Sequence, residues 1–248
     1  MSSPKMHLSE ALSALGFRAS PDALAAFLVH GTKNRLAPVE LLEQLVALER
    51  REREARNMAI RTRLASLGRF KPLDRFDWNH PRKINRPLYE KLLTCDFVEK
   101  GHNVLFRGAS GLGKTTLAQN LGLLALQRGY TVRFSTLADA LAKLSRPDSL
   151  PAFDRKLRHY TKPTLLIVDE LGYLPADARG GDILYNIVSR RHQECSTIIT
   201  TNLAFKLWGT IFPGAACVAA LVDRFTENCH VMHIEGESWR QKNGGAES

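Results

Sequence analysis

Gly108-Ala109-Ser110-Gly111-Leu112-Gly113-Lys114-Thr115 is the stretch on which the reading of this chain turns. It completes a GxxxxGK[ST] pattern, with a strand-like run before it at 103–107 and a helical stretch after it at 113–128. Glycines let the backbone wrap an anion with its N–H groups pointing inward, and the helix that follows adds its positive N-terminal end. The residue types assign Lys114 to the β- and γ-phosphates and Thr115 to Mg²⁺, with Thr116 counted among the phosphate-contacting residues. A glycine-rich turn that binds nothing is the bland alternative.

Outward from this loop, apolar runs alternate with helical stretches. Strands are expected at 131–135, 164–169, 196–201 and 230–234, which describes βαβ units and a parallel sheet covered on both faces. The run at 164–169 ends in Asp169 and Glu170, about 55 residues after the loop. A buried strand of a parallel sheet delivers its acidic tip to the carboxyl edge, where Asp169 would join the Mg²⁺ shell and Glu170 would orient or deprotonate a water. The strand at 196–201 ends at Asn202, an amide placed either to read a γ-phosphate or water, or simply to begin a turn. Between the second and third strands lie two helical stretches, near 137–144 and 153–160, where one would suffice; the second is basic, with Arg155, Lys156 and Arg158.

Residues 1–70 read as an all-helical domain. Leu8, Leu12 and Leu15 recur at helical spacing, as do Leu24, Phe27 and Leu28 after a Ser20-Pro21 start, and a long helix begins near Pro38. From Glu49 to Lys71 eight cations face three glutamates. Arg50, Arg53, Arg56, Arg61 and Arg63 are then either a solvated, ion-paired face or a surface that meets nucleic-acid phosphates. Residues 71–87, rich in Pro, Asp, Asn and aromatics, read as a linker; 88–242 form the nucleotide-binding domain and 243–248 a disordered tail.

The whole chain has 248 residues and a net charge of +10, a surplus whose usual meaning is a polyanionic partner. That charge is unexplained by a small-molecule phosphotransferase, which would also need a closing lid. Cys95, Cys195, Cys217 and Cys229 are far apart and form no CxxC pair, which argues against a zinc site or disulfide framework and for a reducing compartment. No signal-like start or long apolar run is evident, so a cytoplasmic location without membrane contact is expected.

The segments GASGLGKTT, LLIVDELGYLP, STIITTNL, LVDRF and GESWR, in that order over residues 72–241, resemble the IstB-like branch of the AAA+ ATPases. These are helper proteins encoded beside the transposase of certain insertion sequences, and DnaC-type replicative helicase loaders are close relatives. The resemblance implies an α/β P-loop fold of the AAA+/ASCE type with helices on both faces of the sheet. It also implies a small helical N-terminal domain and, with few residues left after Asn202, a minimal or absent lid. Implied too are ATP and Mg²⁺ as ligands, an ATP-dependent homo-oligomer, and double-stranded DNA and a cognate transposase as partners. The alternative it leaves open is a DnaC-like helicase loader. By the same resemblance Asn202 is the first sensor, Arg224 an arginine that enters the ATP site of a neighbouring subunit, and Arg240 a second sensor. Phe76, beside Trp78, lies in the segment that runs against adenine, and the 153–160 insertion faces nucleic acid. A surface ion pair of Arg224 with Asp223 or Glu227 is the competing reading. The chain departs from the pattern at Ala109-Ser110, where a Pro-like pair is common, and at Phe225, where Leu is usual.

Overall fold

The computed structural model describes residues 7–145, 149–172 and 177–239. Two compact units divide between Ile60 and Arg61, nearer the start of the chain than the boundary expected at residue 70.

The first unit contains α1 (Leu8–Ala14), α2 (Pro21–Lys33) and most of α3 (Pro38–Ala65). Ser20 accepts from the backbone N–H of Ala23 and Pro21 occupies the first turn, so α2 starts where the sequence signals it. Glu49, only 8% exposed, ties the unit together: its carboxylate accepts from the backbone N–H groups of Arg18 and Ala19 and from the Arg53 guanidinium.

The second unit is built on a six-stranded sheet in the order β1-β6-β2-β5-β4-β3. Its strands are β1 (Lys83–Ile84), β2 (Asn103–Gly108), β3 (Val132–Thr136), β4 (Leu165–Leu171), β5 (Ser196–Thr201) and β6 (Cys229–Glu235). All neighbours pair in parallel except β1, which runs antiparallel to β6. The 71–87 segment, expected as plain linker, thus supplies an edge strand, and its flank is fastened: Gln119 donates to the carbonyl of Leu67 and Asn120 to that of Lys71.

The helices are α4 (Arg86–Leu92), α5 (Asp96–Glu99), α6 (Lys114–Gln127), α7 (Leu137–Leu144), α8 (Leu150–Thr161), α9 (Ala178–Arg191), α10 (Trp208–Ile211) and α11 (Val218–Thr226). Side chains alternate across the central strands, and both faces are apolar, as a doubly covered parallel sheet requires. Leu105, Leu166, Val168 and Ile199 join one core with α7 to α11. On the opposite face a Cβ on Gly122 of α6 would fall 2.8 Å from the Ile167 side chain, so glycine there lets helix and sheet meet closely. Among the described residues no helix is long and apolar enough to cross a membrane.

At the amino edge of this sheet Arg191 is 1% exposed. Its guanidinium donates to the carbonyls of Tyr160, Pro163 and Ser196 and to the hydroxyl of Thr197, and burial lowers its pKa to about 10. It therefore closes the starts of β4 and β5 where the ladder has run out of partners.

Candidate nucleotide-binding site

Because β2, β5 and β4 are adjacent and parallel, their carboxyl ends bring the phosphate loop, Thr200 and the Asp169-Glu170 pair to one edge. The loop leaves β2 at Gly108, where a Cβ would stand 2.3 Å from the carbonyl oxygen of Ile234 on β6. It closes at Gly113, which caps α6 in the left-handed region with φ 79°, and a Cβ there would strike the Phe76 ring at 2.5 Å. Any side chain at either position would break the loop or its wall.

Lys114 is 5% exposed and its Nζ donates to the carbonyl of Ala109 at 2.7 Å. Next to it the Thr115 hydroxyl donates to Asp169 at 2.9 Å. Asp169 is 4% exposed and accepts a second bond from the hydroxyl of Thr200, at 2.5 Å. Thr200 in turn accepts from the backbone N–H of Glu170 at 3.1 Å. Glu170 has φ 63°, in a left-handed conformation that a side chain makes costly, and it sits at a register irregularity between Val168 and Leu171. That bulge takes Glu170 out of the strand's alternation, so that it is exposed and lines the cavity above the loop. Backbone strain held at one carboxylate beside a phosphate loop is the kind of outlier that function accounts for.

The cavity measures about 420 Å³. Residues 110–116 of the loop, Glu170 and Thr200 line it together with Lys71, Arg75, Phe76, Asp77, His80 and Trp239. Phe76 packs edge-on to Trp78 with ring centroids 4.9 Å apart, and Trp239 packs edge-on to His80 at 4.6 Å. The Trp239 N–H donates to the carbonyl of Gly111, so the end of the described chain is fixed against the phosphate loop. A phosphate loop with aromatic rings beside it matches a nucleotide. The cradle of N–H groups around two close-packed glycines fits phosphate, and the Thr115 hydroxyl with the Asp169 carboxylate forms the hard-oxygen set that Mg²⁺ prefers. Among the described residues no group of three or more His, Cys, Asp or Glu side chains is placed to hold a metal ion.

A pattern of alternating helices and strands with this loop is shared by many proteins, and the family is decided by comparison. The family model for the IstB-like ATP binding protein matches residues 10–246. The chain belongs to the IstB-like family. It is 32% identical over 216 residues to the ATP-binding protein of insertion sequence IS5376 from Geobacillus stearothermophilus, covering 87% of this chain and 86% of the relative. The ATP-binding protein of insertion sequence IS232 from Bacillus thuringiensis is 33% identical over 209 residues, 84% of each chain. Among solved structures the DnaC helicase loader matches with a TM-score of 0.50 at 22% identity, over 64% of this chain and 98% of that one. The chain thus shares its fold, a mostly parallel sheet carrying a P-loop, with the DnaC helicase loader, as the motifs implied.

The structure brings several of the site residues expected from sequence to one cavity. Gly111, Gly113, Lys114, Thr115, Thr116, Glu170 and Phe76 all line the cavity. Gly108, Ala109 and Asn202 instead line a separate, larger cavity of about 910 Å³, together with Arg107 and His233. Asn202 thus stands one residue past β5 and outside the loop cavity, whereas Thr200, passed over in the sequence, is inside it. Position was the available signal: Thr200 is the penultimate residue of β5, at the same carboxyl edge as the end of β4. Arg240, residues 173–175 of the LLIVDELGYLP segment and the 243–248 tail lie outside the described residues.

Arg224 lies over the ring of Tyr185 at 4.9 Å and donates to the hydroxyl of Ser189. It does not pair with Glu227, which is bound instead to His192 and Gln193; their hydrogen bonds hold its carboxyl below the usual range. Of the basic surface residues, Arg50, Arg63, Arg155 and Arg158 are exposed. Arg53 is engaged with Glu49 and with the carbonyl of Gly16, and Arg56 with the carbonyl of Arg18. Arg61 and Lys156 are half-buried. The basic helix α8 is no detached insert, since Ala152, Leu157 and Tyr160 are buried and Asp154 pairs with Arg190.

Proposed function

We propose that this IstB-like protein is an ATP-hydrolysing, DNA-binding homo-oligomer of the cytoplasm that assists a transposase in selecting or preparing its target DNA. The observation that carries the ATPase part is the chain of hydrogen bonds from Thr115 through Asp169 to Thr200 and the backbone of Glu170. It fixes a metal-binding carboxylate and presents a second, exposed one beside the phosphate loop. The insertion-sequence relatives support the transposition part.

In this reading adenine rests against Phe76, and Lys114 turns from the Ala109 carbonyl to the β- and γ-phosphate oxygens. Thr115 and Asp169 hold Mg²⁺, which when bound draws charge from those oxygens. Glu170 orients the attacking water and accepts its proton. Arg224 of a neighbouring copy meets the charge that develops on the transferred phosphoryl group, and Arg240 and Asn202 report the γ-phosphate. The exposed arginines of α3 and α8 contact DNA phosphates. A DnaC-like loader shares the fold, but the relatives that match most of this chain belong to insertion sequences.

The test is ATP turnover and duplex binding measured together. ATP should increase DNA affinity, and log affinity should fall with log salt at a slope near −0.9 per phosphate neutralised. Binding that ignores both ATP and salt would remove the DNA role. Capture of a replicative helicase by the isolated full-length protein, without DNA binding, would favour the loader reading.

A further inference from the structure

We infer that Tyr185 and Ser189 form a seat that holds Arg224 in position to serve the nucleotide site of another copy of this chain; the inference rests on the ATPase reading above. Asn103, the first residue of β2, is bonded through its backbone N–H to the carbonyl of Asn228 and through its side chain to the carbonyl of Phe225. The backbone beside Arg224 is thereby fixed to the amino edge of the sheet, whereas the phosphate loop leaves the other end of the same strand at Gly108. Five residue steps of about 3.3 Å separate the two ends, roughly 17 Å, which is more than an arginine side chain spans. The guanidinium is moreover turned onto α9, where Tyr185 and Ser189 hold it. Arg224 cannot reach the triphosphate of its own chain, so any part it takes in hydrolysis is played in a neighbour.

The seat is chemically suited to lending a charge. Tyr185 and Ser189 are four residues apart on α9 and so share a face. The ring holds the cation through its quadrupole and the hydroxyl accepts one N–H, and neither carries a negative charge. The two carboxylates nearest in sequence do not quench it: Glu227 is occupied by His192 and Gln193, and Asp223 forms no ion pair among the described residues. Arg224 is half-buried, so its side chain is ordered while its charge remains available to an anion. A salt bridge in the same place would order the side chain equally well and cancel the field that a phosphoryl group needs. Tyr185 and Ser189 are positioning residues in this account.

The experiment compares Tyr185→Leu, Tyr185→Phe and Ser189→Ala in the full-length protein, with Arg224→Ala as reference. Tyr185→Leu should lower kcat roughly tenfold with KM for ATP within about twofold of wild type, and Tyr185→Phe, which keeps the aromatic face, should recover most of the turnover. Adding excess Glu170→Gln protein, whose own site is silent but whose Arg224 seat is intact, should restore part of the Tyr185→Leu turnover. Wild-type kcat in folded Tyr185→Leu, or a loss that Glu170→Gln subunits do not rescue, would overturn the inference. Should Tyr185→Leu not fold, Tyr185→Met with the same mixing protocol decides by the same outcomes. Normal turnover by Arg224→Ala would instead overturn the finger reading itself, whatever the Tyr185 variants do.

Discussion

The hydroxyl of Thr200 donates to the carboxylate of Asp169 and accepts from the backbone N–H of Glu170, so one side chain, 1% exposed, fixes two acidic residues with different tasks. Replacing it with the isosteric valine removes both bonds without opening a cavity. Thr200→Val should therefore lower kcat roughly tenfold or more while ATP affinity changes little, since hydrogen bonds to charged groups contribute about 1.5–3 kcal/mol. Thr200→Ser should retain most activity. Steady-state ATPase kinetics check this, and equal kcat in Thr200→Val would remove Thr200 from the site.

Glu170 combines catalysis with strain, and the two can be separated. Glu170→Gln keeps the size and removes the base, so it should bind ATP and stay on DNA without turning over. Glu170→Gly should also be inactive, yet its melting temperature should hold, because glycine adopts φ 63° without cost. Thermal unfolding of both variants is the check; a marked loss of stability in Glu170→Gly alone would mean that the side chain carries packing energy instead.

Arg191 should be the costliest cation in the molecule to replace. Arg191→Leu leaves the buried carbonyls of Tyr160, Pro163 and Ser196 without their donor, a loss of about 3 kcal/mol or more. Denaturant unfolding would show it as a lowered midpoint. An unchanged midpoint would contradict its role as the clamp of the amino edge.

The helical unit should loosen in acid. Burial pushes the Glu49 carboxyl up, but the Arg18 N–H, the Arg53 guanidinium and the Ala19 N–H outweigh it and hold the group below its ordinary 4.5. A carboxylate whose folded pKa is depressed contributes stability above its unfolded value and loses it as pH falls through the folded one. Helix content should therefore decline below about pH 4.5, and Glu49→Gln should be less stable at neutral pH with a flatter acid profile. Circular dichroism against pH reads both.

Legibility in the sequence followed the range of the interaction. The strands around Leu105 and Ile167 hold apolar runs, the strand around Ile198 is β-branched from Thr197 to Thr201, and the loop at Gly108–Thr115 has a local pattern, so the strands and the loop could be read directly. The edge strand Lys83–Ile84 could not, because two residues carry no periodicity and exist as a strand only through pairing with Ile234 and Glu235 far along the chain. Arg191 reads as one more cation in Ser189-Arg190-Arg191-His192, and its burial is decided by three carbonyls from other elements. Thr200 escaped notice for a similar reason: the bulge at Glu170 brings its backbone N–H to the Thr200 hydroxyl, and nothing local to β4 announces it.

The central claim is that the cavity over Lys114 takes a triphosphate. Calorimetric titration of Mg·ATP into the full-length protein should give one nucleotide per chain, and Lys114→Ala should abolish the uptake while remaining folded. Folded wild-type protein that takes up no ATP, or a Lys114→Ala variant that binds it as tightly as wild type, would contradict the account.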